Sequence, residues 1–402
     1  METATGGVFM KSPFNRTSWL KTADATIGYA SCKLTAMARY YAGLPQTGIA
    51  PRLGGIRRML LIRPGGIGDM AMLLPAIAAV KRAVPDICLD VVCENRNVGV
   101  LKLAHEDIGT YLYESQPVRL LRALASNQYD VVIDTEQFHH FSALFAVMSR
   151  APIRIGFSIN PARFSLYTHL VRYDPGGYEA VQFGQLLKPL GLSEVDCRLH
   201  GILGGTRLPM DLMVRDFVRE FAGEGKYVII CPGSSNPYKQ WGITNFVAVM
   251  KGLIGLGLPA VLLGGAGDVP QCEALGRAAS ERSLRWVSLA GQLSLAQSAA
   301  VIRDAAIFVG CDSGPAHLAT CLGTPSVTLF GPSDAGKWAT ADTLHQVVQR
   351  LPACGPCSMF GYNKLCRDVA CMSSISPQEV LDACRNVLCH AASGVDRAVG
   401  ER

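Results

Sequence analysis

The sequence predicts an α/β protein made of two parallel-sheet domains. Three observations carry this expectation. Short apolar, β-prone runs alternate with helical patterns along most of the chain, and such alternation implies parallel strands covered by helices on both faces. The series breaks once, in the Gly-rich, mostly irregular stretch from Gly191 to Gly225, and then starts again. With 402 residues, 49% hydrophobic and 17% charged, the chain is long enough for two cores and too apolar to be disordered. The expected division is an N-terminal extension over 1–55, a first domain over 56–205, a second over 206–375, and a last helix and tail over 376–402.

The extension carries one signal. From Ser18 onward Trp19, Ala23, Ile27, Ala30, Leu34, Met37 and Tyr41 recur at helical spacing, with Lys21, Lys33 and Arg39 off that stripe. This is an amphipathic helix, which either packs on the protein or a partner, or lies on a membrane surface. Pro45 to Gly55 is a linker. The first domain then opens with the apolar strand Arg57 to Arg63, running into Pro64-Gly65-Gly66-Ile67-Gly68-Asp69. Asp69 is expected to cap an apolar helix through Val80. Gly65, Gly66 and Gly68 let backbone approach a ligand, and the carboxylate stands at a strand end, where open α/β sheets place their sites. Gly66 to Ala71 also fits the looser dinucleotide pattern, with Glu94 closing the next strand. A carboxylate at that helix start would repel the pyrophosphate such a ligand must place there.

Strands follow at Ile87 to Cys93, Tyr129 to Asp134 and Ile153 to Phe157, with helices at Val118 to Ala125, Phe138 to Met148 and Tyr178 to Leu190. Gln137-Phe138-His139-His140 follows a strand end, so these residues either line the cleft or simply start a helix. The second series runs from a strand at Lys226 to Cys231, through the loop Pro232-Gly233-Ser234-Ser235-Asn236-Pro237-Tyr238-Lys239-Gln240-Trp241, to a helix at Ile243 to Ile254. A strand at Pro259 to Leu263 leads into Gly264-Gly265-Ala266-Gly267-Asp268 and another helix. The uncharged run Gly252 to Gly267 is shorter than the roughly 20 residues of a membrane span and is broken by glycines and Pro259. Arg285 to Leu289, Ser294 to Arg303 and Ala305 to Val309 continue the series.

Phe308-Val309-Gly310-Cys311-Asp312-Ser313-Gly314-Pro315-Ala316-His317-Leu318 is then a strand, a tight turn and a helix start. Asp312 or Ser313 can cap the helix and Pro315 suits its first turn. The N–H groups there, with the helix dipole, favour a phosphate. His317, about one turn in, is placed to reach the same ligand. Thr324 to Pro332 is the next buried strand and its exit turn.

The net charge of +6 is modest and spread along the chain. It does not indicate nucleic acid, and it suits anionic ligands or an anionic membrane surface. No basic segment followed by an apolar core marks the N-terminus for export, so a cytoplasmic location is expected, with most of the 14 cysteines reduced. Cys354 and Cys357 have ligand spacing, and with Cys366 and Cys371 they are candidate ligands of a closed structural zinc site. The second spacing is not the usual pair, and reduced core thiols are the other reading.

In combination and order, several segments resemble glycosyltransferase family 9, the heptosyltransferases of lipopolysaccharide core assembly. They are Arg63 to Asp69 with Pro75, Pro232-Gly233-Ser234-Ser235 with Lys239 and Trp241, Leu289-Ala290-Gly291 with Leu293, Asp312-Ser313-Gly314-Pro315 with His317, and Phe330 to Asp334. The similarity covers roughly residues 56 to 390. It implies a GT-B fold, two Rossmann-like domains facing a cleft, the first on the acceptor side and the second binding a nucleotide sugar. It also implies inverting, metal-independent transfer from a nucleotide-diphosphate sugar, ADP-heptose above all, to a lipid-linked saccharide at the inner membrane surface, with no cofactor required. Carried over, Asp69 is the general base. Lys239 and the N–H groups of Ser313 and Gly314 neutralise the departing diphosphate. Ser234 and Ser235 bind phosphates, Leu293 lines the donor side, and Asp312 and His317 hold sugar or phosphate. Ser313 stands where the family commonly has Thr. A nucleotide-sugar epimerase or hydrolase of the same fold, and a non-catalytic binding module, are the competing readings.

Overall fold

The computed structural model of the chain describes residues 22–41, 52–105, 107–208, 212–223, 226–359, 362–363, 366 and 368–393. Two six-stranded sheets organise it. The first holds β1 (Arg58–Ile62), β2 (Cys88–Cys93), β3 (Gly109–Leu112), β4 (Val131–Asp134), β5 (Ile153–Phe157) and β6 (His169–Val171); the second holds β7 (Val228–Cys231), β8 (Ala260–Leu262), β9 (Trp286–Ser288), β10 (Ile307–Cys311), β11 (Ser326–Phe330) and β12 (His345–Gln349). Every pairing within them is parallel. The strand orders are β3-β2-β1-β4-β5-β6 and β12-β11-β10-β7-β8-β9. Counted from the first strand of each, this is the same order, that of dinucleotide-binding sheets, and each sheet reverses direction beside its first strand. The glycine loop leaves the carboxyl end of β1, and the Ser234 and Asp312 loops leave the carboxyl ends of β7 and β10. All three therefore stand at switch points.

The central strands β1, β4, β5, β7, β10 and β11 are buried almost throughout, as the apolar runs required. The sequence reading missed β3, β6 and β12, which are sheet edges whose side chains are mostly half-buried. Tyr178 to Leu190 is not one helix. It is a helix over Glu179–Gln185 followed by a 3-10 turn over Lys188–Leu190. The strands expected at Lys226 and Ala305 start two residues later, at Val228 and Ile307.

The two domains share an apolar core, in which Met70, Leu74 and Phe183 of the first join Ala300, Phe308 and Leu318 of the second. Beside it lies a buried ion pair: Lys337 Nζ is 2.6 Å from Glu179 Oε2 and donates to Tyr173 Oη at 2.6 Å. The last helix, Pro377–Ser393, packs on the second domain through Val380, Cys384 and Val387.

The N-terminal helix is described from Thr22 to Tyr41, its turns π-helical over Asp24–Gly28 and α-helical over Tyr29–Tyr41. Trp19 and Lys21 lie outside the described residues. Of the expected apolar stripe, Ala23 is on the docking face, whereas Ile27, Ala30, Leu34 and Met37 are not. Ala23, Asp24, Gly28 and Cys32 are buried against the first domain, where the Asp24 carboxylate accepts the backbone N–H groups of His140 (2.9 Å) and Phe141 (2.7 Å) at the start of the helix His140–Met148. Small residues allow the close approach and the carboxylate caps the neighbouring helix. Ile27, Leu34, Met37 and Tyr40 are left outside, at 61%, 67%, 54% and 73% exposure.

Candidate active site

On the first domain, β1 ends in a chain of contacts centred on a carboxylate. Gly65 has φ +129, a conformation that favours glycine. The helix starts at Ile67 with Gly66 as its flanking residue. Asp69 is thus not the cap position. It stands in the first turn, and its Oδ2 accepts the Gly66 N–H at 2.6 Å. Its Oδ1 pairs with Arg63 Nη2 at 2.5 Å. Arg63 is buried, stacked 4.7 Å from the Phe183 ring centroid, and also donates to Thr135 O (3.1 Å) and Glu136 Oε1 (3.2 Å). Burial opposes its charge, but Asp69, Glu136 and Glu179 outweigh that and hold the guanidinium above its ordinary range. Each Asp69 oxygen is fixed by one donor and keeps a second lone-pair site, and the side chain is 29% exposed. Glu94, which the dinucleotide reading would place on a ribose, instead accepts the Gly65 N–H (2.9 Å) and the Tyr113 hydroxyl (2.8 Å).

On the second domain, Asp312 is buried and joins Lys239 and His317, the two side chains that the sequence reading assigned to the donor. Lys239 Nζ lies 2.6 Å from its Oδ2 and His317 Nε2 lies 3.8 Å from its Oδ1. Burial pushes this carboxyl up, but Lys239 and His317 more than offset it and hold Asp312 below the usual carboxylate range. The helix Gly314–Leu322 follows, and neither Asp312 nor Ser313 caps it with a side chain. Asp312 is occupied by Lys239 and His317, and the Ser313 hydroxyl is buried without a hydrogen-bond partner among the described residues. A helix start, an unpartnered hydroxyl and an ammonium are groups that suit an anion. Ser234 Oγ accepts the Asn236 N–H at 3.3 Å, Ser235 is exposed beside it, and Trp241 anchors the loop by donating to Ile375 O at 3.1 Å. Leu293 is half-buried against the shared core.

The two halves meet. A Cβ on Gly68 would fall 2.5 Å from His317 Cδ2, and one on Gly314 would fall 2.7 Å from Ile67 Cβ. Glycine at both helix starts therefore lets the Asp69 loop close against the Asp312 group. Glu136 and the Lys337–Glu179 pair carry no signal in the sequence that ties them to the site. Arg63 and Asp69, six apart at a strand end followed by glycines, were the available signal.

Beside Pro64, a cavity of about 60 Å³ opens on the first domain, lined by Glu94, Arg96, Glu114, His139 and Asp24 among others. His139 Nδ1 stands 2.7 Å from Glu136 Oε2. Of the two histidines, His139 lines this cavity while His140 is bound to Asp24. At the other end, Cys354, Cys357, Cys366 and Cys371 line one cavity of about 100 Å³ with Tyr238. They surround it without converging. Among the described residues the one group whose ligand atoms lie within 4.8 Å of one another is His200, Asp342 and His345.

The family model for glycosyltransferase family 9 (heptosyltransferase) matches residues 118–360, more than half of the chain. The chain belongs to that family. Lipopolysaccharide heptosyltransferase 3 of Escherichia coli is 26% identical over 289 residues, 67% of this chain and 82% of the relative. Lipopolysaccharide heptosyltransferase 2 of Salmonella typhimurium is 26% identical over 365 residues, 82% and 98% of the two chains. Among solved structures, the Escherichia coli ADP-heptose heptosyltransferase II superposes with a TM-score of 0.65 at 21% identity, covering 83% of this chain and 99% of that one. A family 9 protein from Veillonella parvula gives 0.66 at 20%, covering 85% and 100%. These likenesses establish the GT-B fold. The family 9 chain is therefore a glycosyltransferase, of the kind that acts in lipopolysaccharide biosynthesis, and the epimerase and binding-module readings fall away. Among the described residues no helix is long and apolar enough to cross a membrane.

Proposed function

We propose that this transferase moves heptose from ADP-heptose to a lipopolysaccharide-type saccharide, inverting the anomeric carbon, with no metal in the transfer step. The observation that carries the reading is the pairing of a carboxylate on one domain with an anion site on the other, brought together by Gly68 and Gly314. Asp69 takes the proton of the acceptor hydroxyl as its oxygen attacks the anomeric carbon, opposite the diphosphate. The bond to the diphosphate breaks, and the charge left on ADP is met by Lys239, the Ser313 hydroxyl and the N–H groups at Ser313 and Gly314. Asp312 holds Lys239 and His317 in place for this. The choice of heptose follows the relatives, whose names give it as their sugar.

Lys239→Ala tests the donor half. It should weaken ADP binding by about tenfold or more and slow transfer, because a buried Asp312 then replaces a cation at the leaving group. Transfer by the unmodified enzyme should continue in excess EDTA. Activity that disappears in EDTA and returns with magnesium would contradict the metal-free step.

The N-terminal helix supplies the place of work in this reading. Asp24 ties it to the rim of the first domain's cavity, and its apolar face, Ile27, Leu34, Met37 and Tyr40, points outward beside that cavity. A lipid-linked acceptor would arrive from the membrane at that side, and the exposed face with Lys33 fits an anionic bilayer surface. The full chain should sediment with anionic vesicles at low salt and release as salt rises. The Ile27→Glu/Leu34→Glu variant, altered only on the outward face, should stay in solution. Equal sedimentation of the two would rule this helix out as the contact.

A further inference from the structure

The cluster His200, Asp342 and His345 lies far from the chemistry described above. Ser326 and His345 are the first residues of β11 and β12, so the cluster sits at the amino ends of these strands, and the diphosphate site sits at the carboxyl ends of β7 and β10. His200 belongs to the crossover between the domains. That crossover is held to the end of the helix Gly314–Leu322, where Gly201 N–H donates to Thr320 O (3.1 Å) and Leu203 N–H to Cys321 O (2.7 Å).

Each ligand atom is already oriented. Asp342 Oδ1 accepts the N–H groups of Leu344 and His345, both at 2.8 Å, which leaves Oδ2 on the side of His200, 3.9 Å from its Nδ1. His345 is buried, and its Nδ1 is 2.8 Å from the Ser326 hydroxyl. Its Nε2 is turned to His200 Nδ1, 2.8 Å away. A second partner on the far ring nitrogen is what fixes the tautomer of a metal-binding histidine. The side chains of His200 and Asp342 are 35% and 36% exposed, so an ion and water can enter.

We propose that His200 Nδ1, His345 Nε2 and Asp342 Oδ2 bind a divalent cation of the zinc class, which clamps the inter-domain crossover to the second domain. Two imidazoles and one carboxylate select zinc, nickel or copper over magnesium. A tetrahedral ion with ordinary Zn–N lengths separates two ring nitrogens by about 3.3 Å, so the rings must part by about half an ångström. His200, on the half-exposed crossover, has room to do so. Whichever ring carries the proton of that contact must hold it on its other nitrogen before both can bind the ion. Without the ion, an N–H···N bond between the two rings accounts for the same contact, and this is the alternative to be tested.

The inference does not depend on the sugar or on the transfer mechanism. Full-length protein stripped with chelator is titrated with zinc by calorimetry, beside His200→Gln and Cys354→Ser/Cys357→Ser. The unmodified chain and the cysteine variant should share one zinc site that millimolar magnesium does not fill. His200→Gln should bind there at least about tenfold more weakly while melting at the same temperature as the stripped unmodified chain. Zinc binding equal in His200→Gln and the unmodified chain would overturn the proposal, as would no zinc binding, or binding lost in the cysteine variant alone.

Discussion

Asp69→Asn should lower turnover by on the order of 10²-fold or more while ADP binding changes little. Oδ1 is held by Arg63 and Oδ2 by the Gly66 N–H, so two donors orient the carboxylate while each oxygen keeps a lone-pair site. The amide of asparagine has the same shape, but its nitrogen cannot accept a proton, and one of the two contacts must then pair donor with donor. Arg63 keeps Glu136 and Thr135 as partners, so the fold should survive, and an unchanged melting temperature with ADP bound would show it. The split between turnover and donor affinity separates a base from a residue that merely shapes the loop. A variant that turns over near the normal rate would remove Asp69 from the chemistry.

The largest loss of stability is expected at Lys337→Met. Glu179 is fully buried, and its carboxylate is partnered by Lys337 at 2.6 Å from the other domain and by the Tyr173 hydroxyl at 2.7 Å. Burial pushes the Glu179 carboxyl up despite Lys337. Removing the ammonium strands a buried acid at the domain junction and should cost about 3–5 kcal/mol. The double variant Lys337→Met/Glu179→Gln removes the stranded charge and should recover most of it. Denaturant unfolding of the three proteins checks this. A single variant within about 1 kcal/mol of the unmodified chain would show that the pair is not a junction.

What was legible in the sequence follows from burial. Strands such as Met59 to Ile62 and Ile307 to Cys311, covered on both faces, must be continuous apolar runs, and they stand out as such. Edge strands such as His345–Gln349 are covered on one side only, and their mixed composition hides them. In the candidate site, glycine-rich strand exits at the switch points single out Asp69, Asp312 and His317, and Lys239 enters through the family resemblance. Arg63 looked like the end of an apolar strand, since nothing local says that its guanidinium turns back to Asp69. The His200, Asp342 and His345 group joins residues up to 145 apart in sequence and has no spacing to read. The N-terminal helix shows the limit of periodicity. The pattern located it but not its docking face, because Asp24 and small residues decide that against the apolar stripe.

The most direct test of the account is incubation of the full chain with ADP-heptose, with and without a heptose-deficient lipopolysaccharide acceptor, in the presence of EDTA. The account predicts ADP release that depends on the acceptor, an acceptor heavier by one heptose, and an anomeric configuration opposite to that of the donor. Complete turnover of ADP-heptose without acceptor, or a product with the donor's configuration retained, would contradict it.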